Sequence, residues 1–162
     1  VAIQELVADP GNARRHSQRN IDAIMASLVR FGQQKPIVVD GKNIVRAGNG
    51  TLAAAKALGW THLNAVRSDL PARELAAFAI VDNRTAELAD WDDQLLLAAL
   101  DDGSVGDLGF TAEEIEDLRR ATGAADEGGG VPAVADELNE QLGEIGERFE
   151  VVVQCGDERQ QQ

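Results

Sequence analysis

Tyrosine is absent from this chain. Its 162 residues hold one cysteine, one methionine, two histidines, two tryptophans and four phenylalanines. Each scarcity excludes something. A lone Cys155 cannot close an internal disulfide, and it fits a reducing compartment. His16, His62 and Cys155 are too scattered for a zinc site. With few aromatics and abundant alanine, the core is expected to be aliphatic and helix-rich. No apolar run approaches the length of a membrane span, and the first residues lack a signal-peptide pattern. The expectation is a cytoplasmic protein with no membrane partner. The length suits one domain, or one domain and a piece of another.

Positive charge is also scarce, but unevenly. Residues 1–90 hold 11 Lys/Arg and 9 Asp/Glu, a net of +2, whereas residues 91–162 hold 4 and 19, a net of −15. The second half would repel nucleic acid or mimic it. The first half is nearly neutral, so the overall charge of −13 says little about what it binds.

What is there centres on residues 34–60, QKPIVVDGKNIVRAGNGTLAAAKALGW. Ile37, Val38 and Val39 predict a strand. Asp40-Gly41 predicts a two-residue turn, and residues 43–47 a returning strand. Gly48-Asn49-Gly50-Thr51 then opens a helix over 52–58 that stops at Gly59. A glycine loop entering a helix presents free N–H groups and a positive dipole end, where phosphates bind. The plainer reading of the same residues is a tight connection.

Residues 1–8 read as a short strand or extended lead-in, followed by the turn Asp9-Pro10-Gly11-Asn12 and a small basic loop, Ala13-Arg14-Arg15-His16-Ser17. That loop is a solvated surface or an anion clamp. Ile21, Ile24, Met25 and Leu28 form one apolar helical stripe, capped by Ser17 or Asn20 and ended by Gly32. After the central unit, residues 63–66 predict a strand. A helix over 72–81 follows, capped by Ser68 or Asp69, with Leu75, Phe78 and Ala79 inward. It delivers Asp82-Asn83-Arg84, a carboxylate, an amide and a guanidinium in three residues. The alternative there is a helix end with a surface ion pair.

Beyond Trp91 the chain turns acidic. Leu95, Leu96, Leu97 and Leu100 mark a helix, residues 103–109 a break, and Thr111 with Glu114 a capping box for a helix over 112–120. As a helix-turn-helix this pair lacks a reader, since Ala112, Glu113 and Glu114 fill the first turn of its second helix. Residues 123–135 read as a linker and 149–155 as a strand. The expected domains are therefore 1–90, an acidic helical extension 91–122 packing on it, the linker, and 136–162 as the start of a second small domain or a docking strand.

The order of parts in residues 1–90 resembles the amino-terminal domain of ParB-like proteins, often labelled ParB-like nuclease domains and related in fold to sulfiredoxin. The carriers are Asn12-Ala13-Arg14-Arg15-His16, Lys35-Pro36-Ile37-Val38-Val39, Ala47-Gly48-Asn49-Gly50 with Ala54-Ala55-Lys56-Ala57-Leu58-Gly59, and Asp82-Asn83-Arg84. The run from Asp82 to Leu88 followed by Trp91-Asp92 is most similar to the subgroup found in phages and ahead of DNA methyltransferase domains. The resemblance implies an α+β ParB/sulfiredoxin-like domain with a small mixed sheet and packed helices.

It also implies a ligand, a nucleoside triphosphate (CTP or ATP) with Mg2+, in a bacterial or phage-infected cell. By position, Gly48, Asn49, Gly50 and Thr51 would lie at the phosphates and Asp82 and Asn83 near the metal. Residues 32–36, with Gln34 and Lys35, would form the opposite wall, and Arg14, Arg15 and Arg84 would supply cations. Nucleotide, DNA through the first half or through a partner protein, and a second copy of the chain are the implied partners.

This chain departs from the family at its second motif. ParB has Gly-Glu-Arg-Arg and the subgroup Gly-His-Gly-Arg, where this chain has Gly48-Asn49-Gly50-Thr51. Each lost cation beside a phosphate removes about 1.5–3 kcal/mol. The Gly-Cys-His-Arg run of sulfiredoxin is also missing, which excludes sulfinic-acid reduction. Three functions follow: a nucleotide-binding ParB-like protein acting in DNA metabolism or regulation, a nuclease or kinase of the same fold using Asp82, Glu87 or Asp90, and a non-catalytic interaction protein with a degenerate pocket.

Overall fold

The computed structural model describes residues 1–103 and 109–124, all within one compact unit, Val1–Asp126. A 3-10 turn, Ile3–Glu5, leads into β1 (Val7–Ala8), α1 (Gln18–Phe31), β2 (Ile37–Val39), β3 (Ile44–Ala47) and α2 (Asn49–Ala57). Then come β4 (Ala65–Arg67), α3 (Ala72–Glu87), α4 (Asp93–Asp101) and α5 (Ala112–Thr122). The strands form one mixed sheet in the order β1-β3-β2-β4. β3 pairs antiparallel with β2, and each outer pair is parallel. This is the α+β class that the sequence predicts.

The sheet is small because its strands are short, so helices complete the core. Ile37, Val39 and Val45 of the sheet, Leu52, Ala54 and Ala55 of α2, and Leu28 of α1 are buried together with Ile3, Leu6 and Leu63. Each large aliphatic side chain so buried contributes about 1.5–3 kcal/mol. Ala54 and Ala55 have no exposed surface; their single methyl groups let α2 lie close to its neighbours. α2 packs on α1 and β2, and α3 packs on β3.

Local details depart from the sequence reading for identifiable reasons. Ile3 and Leu6, three apart, are both buried, which suits a 3-10 turn better than an extended lead-in. The β2–β3 connection is four residues, 40–43, because the Asp40 carboxylate accepts from the N–H groups of Lys42 and Ile44 and holds a wider turn. Asn43 takes φ 59° there. α2 begins at Asn49 rather than at residue 52, with Gly48 as its left-handed cap. β4 lies at 65–67, starting two residues and ending one residue later than expected. Ser68 and Asp69 do not cap α3; Pro71 holds that position. α3 also runs on through Asp82-Asn83-Arg84 to Glu87, since nothing between 82 and 87 breaks a helix. Of the expected linker over 123–135 all but its first two residues, and the whole of 136–162 with its expected strand over 149–155, lie outside the described residues.

Candidate functional site

Residues 9–17 gather the candidate site. At the loop's start, the Asp9 N–H donates to Asn49 Oδ1 at 3.0 Å. At its end, Ser17 caps α1 by accepting from the Asn20 N–H. Between them the loop reaches two other elements. The His16 ring lies against Gly50 in the first turn of α2, where a Cβ would fall 2.8 Å from His16 Cε1 and 2.9 Å from Ile24 Cδ1. Arg14 crosses to α3, where its Nη1 donates to Asn83 Oδ1 at 3.2 Å and to Glu87 Oε1 at 3.0 Å. Three segments far apart in sequence therefore meet: the basic loop, the start of α2 and the last turns of α3.

Each predicted site residue has a definite place. Asn49, Gly50 and Thr51 supply the first-turn N–H groups of α2, which no side chain caps among the described residues. Helix starts leave such groups without intrahelical acceptors, at the positive end of the dipole. The Asn49 side chain is engaged at both ends, accepting from Asp9 and donating to the Val45 carbonyl at 2.9 Å. Gly48 has a second reason to be glycine. It takes φ 93°, and a Cβ there would lie 2.6 Å from Ile37 Cγ2.

On α3, Asn83 and Glu87 are four residues apart and share one face. Asn83 Nδ2 donates to the Ala79 carbonyl, which aims Oδ1 at Arg14. Arg84 pairs with Glu87 at 3.5 Å. Asp82 is half-buried, and as the neighbour of Asn83 on the helix it points about 100° away from the Asn83–Glu87 face. Arg15 and Lys35 are exposed. Gln34 donates to the Phe31 carbonyl, and the 32–36 segment is fastened to the sheet by Gln33, whose side chain bonds both the N–H and the carbonyl of Asn64.

Could these residues hold magnesium? Among the described residues, no group of three or more His, Cys, Asp or Glu is arranged as a metal site. Asn83 Oδ1 and Glu87 Oε1 nevertheless converge on a single nitrogen of Arg14. Two protein oxygens suit the magnesium mode in which one or two side chains and substrate phosphates share the ion. They do not suit an all-protein cage.

Sequence reasoning missed the strongest electrostatic feature of this region. Arg46 on β3 is held between two carboxylates. Its Nη1 meets Asp9 Oδ2 and its Nη2 meets Asp40 Oδ2, each at 2.8 Å, with side-chain exposures of 16% for Arg46, 8% for Asp9 and 11% for Asp40. Burial by itself would raise the Asp40 pKa. The Ile44 N–H, the Arg46 guanidinium and the Lys42 N–H outweigh it and hold the carboxyl below its ordinary value. The hydrogen bonds that Arg46 donates to Asp40 and then to Asp9 raise its pKa. The available signal was a charge inside the four-residue strand Ile-Val-Arg-Ala, which in a packed sheet needs a counterion.

A separate open groove of about 540 Å³ is lined by Ala2, Ile3, Gln4, Lys56, Trp60, Thr61 and His62. It lies at the other end of α2, roughly 13 Å from the first turn by helix rise, and it holds none of the predicted site residues.

No protein-family model matches the chain. The ParB-like nuclease domain-containing protein YnaK of Escherichia coli is 36% identical over 56 residues, covering 35% of this chain and 64% of that protein. A probable chromosome-partitioning protein ParB of Campylobacter jejuni is 31% identical over 87 residues, 51% of this chain and 31% of that protein. The chain thus spans less than two thirds of either relative. Among solved structures, the C-terminally truncated chromosome-partitioning protein ParB of Caulobacter crescentus, complexed with CTP-gamma-S, superposes with a TM-score of 0.55. It has 19% identity over 72% of this chain and 67% of that one. At that identity the likeness is one of fold.

Proposed function

Since this chain carries a ParB-like domain, we propose that it binds a nucleoside triphosphate with magnesium and acts in DNA metabolism or regulation. The observation that carries this reading is the convergence on loop 9–17, with Arg14 on Asn83 and Glu87, His16 on Gly50 and the Asp9 N–H on Asn49. The structural neighbour complexed with a CTP analogue supports it. Phosphate oxygens would meet the first-turn N–H groups of Asn49, Gly50 and Thr51. Arg14, 44% exposed and paired on the surface with Glu87, can leave that contact for phosphate, because an exposed ion pair is worth only about 0–1 kcal/mol. Arg15, Arg84, Gln34 and Lys35 would be the further polar groups of such a pocket; of these, Arg84 reaches the site through Glu87. The chemistry that magnesium would supply there is neutralisation of phosphate charge. Asn83 Oδ1 and Glu87 Oε1 are the groups that would hold it, with Asp82, the other candidate ligand, on the adjacent face of α3.

The finer parts of this reading are a cytoplasmic place of action, membership of the phage and methyltransferase-associated subgroup, and DNA contact through the first half or a partner protein. A homodimer is a further part. α3 supports it with Ile80, Val81 and Leu88, exposed at 62%, 56% and 62%, on its outward side. A nuclease or kinase of the same fold would draw on Asp82, Glu87 or Asp90.

Calorimetric titration of CTP, ATP and GTP, each with magnesium, into the full chain tests the proposal. Saturable binding of one nucleotide, weakened at least tenfold in Asn83→Ala, is the expected result. Absence of heat with all three would remove the nucleotide reading and leave an interaction protein.

A further inference from the structure

The second motif, Gly48-Asn49-Gly50-Thr51, has no arginine, yet one stands nearby at 46, largely buried between carboxylates. We infer that Arg46 is a positioning residue, which fixes loop 9–17 against the first turn of α2 and thereby sets the shape of the candidate nucleotide site without touching the ligand. The inference rests on the nucleotide reading for its functional consequence, but not for its structural content.

The chain of contacts is short. Asp40 is anchored by the Lys42 and Ile44 N–H groups at 2.8 and 2.9 Å, and its backbone carbonyl accepts from Arg67 at 2.7 Å. Asp40 in turn holds Arg46 through Nε and Nη2, a forked contact that a lysine could not reproduce. The remaining arm of the guanidinium, Nη1, holds Asp9. Asp9 is the hinge of the arrangement. Its carboxylate also accepts from the Gly11 N–H and its carbonyl from the Asn12 N–H, which bends the chain into the loop bearing Arg14 and His16. Its own N–H grips Asn49.

Arg46 therefore decides where both the loop and the Asn49 side chain sit. Two carboxylates facing one guanidinium also leave this cluster with a net negative charge, so a phosphate gains nothing by approaching it. That separates Arg46 from the cations that would bind ligand.

Three variants of the full chain test this. Arg46→Met leaves two buried carboxylates facing each other, and its Tm is expected to fall by roughly 10–20 °C. The triple variant Asp9→Asn, Arg46→Met, Asp40→Asn removes the charges together and is expected to recover most of that loss. A merely structural Arg46 would make the triple variant equivalent to the parent. The positioning role predicts otherwise. Amide exchange at the backbone N–H of residue 9 and at the Asn49 side-chain NH2, followed by NMR, should be at least tenfold faster than in the parent, and nucleotide affinity at least tenfold weaker, at temperatures well below Tm.

Asp9→Asn alone, which leaves Arg46 on Asp40, guards against a triple variant that does not fold. It should accelerate the same two exchange signals without a large Tm change. Parent-like exchange in Asp9→Asn, or in a folded triple variant, would overturn the inference. Should the parent bind no nucleotide, the nucleotide reading fails, and the exchange measurement still decides the role of Arg46.

Discussion

Gly50 carries two meanings, and the structure separates them. In sequence it is the second glycine of a Gly-Asn-Gly run before a helix, a pattern that suggests a phosphate cradle. In the fold its missing side chain admits His16 and Ile24, which a Cβ would meet at 2.8 and 2.9 Å. Gly50→Ala should therefore destabilise the chain by about 1–3 kcal/mol through overpacking, measured by chemical denaturation, whether or not a ligand is present. The sequence offers Asn49 as a candidate phosphate-site residue, but its side chain's two internal hydrogen bonds were not legible there. Both depend on partners, Asp9 and Val45, whose placement is set by tertiary pairing. Arg46 was missed for the same reason. Its counterions lie 37 and 6 residues away, and nothing local distinguishes a paired arginine from a solvated one.

Among the elements, those with strong end signals were legible to within a residue or two. α1 has Ser17 before it and Gly32 after it, and α5 has its Thr111–Glu114 capping box. Elements whose ends depend on neighbours were placed less well. α3 outran its expected end because Asp82-Asn83-Arg84 carries no breaker, and α2 starts early because Gly48 can take a left-handed cap.

α5 also shows a pH effect of fixed sign. The Glu114 carboxylate accepts first from the Thr111 N–H, then from Arg19 on α1 and the Thr111 hydroxyl, and its pKa is lowered from 4.5 to about 2. A carboxyl depressed on folding stabilises above its unfolded pKa. This contribution is therefore whole above about pH 4.5 and disappears as the pH falls towards 2. NMR signals of α5 should show it loosening over that interval, with the rest of the domain still folded at its upper end. Thr111→Ala should remove the box at neutral pH at a cost of about 1 kcal/mol, read from denaturant midpoints.

For the molecule as a whole, the buried Asp9–Arg46–Asp40 cluster ties the end of β1 and the β2–β3 turn to β3 in one ionic knot. Removing its cation by Arg46→Met should cost about 3–5 kcal/mol, read by urea denaturation, because a buried pair broken on one side leaves uncompensated charge. The lowered Asp40 pKa gives the same sign as Glu114, with stabilisation present above about pH 4 and lost as acid protonates the folded carboxyl.

At the same scale stands the proposal that residues 9–17, 48–51 and 82–87 together bind phosphate. NMR shift mapping of the full chain, titrated with magnesium CTP and then magnesium ATP, tests it most directly. Saturable shifts concentrated at Arg14, His16, residues 48–51, Asn83 and Glu87 are the predicted result. Shifts confined to the groove of Lys56, Trp60 and His62, or no shifts at all, would contradict it.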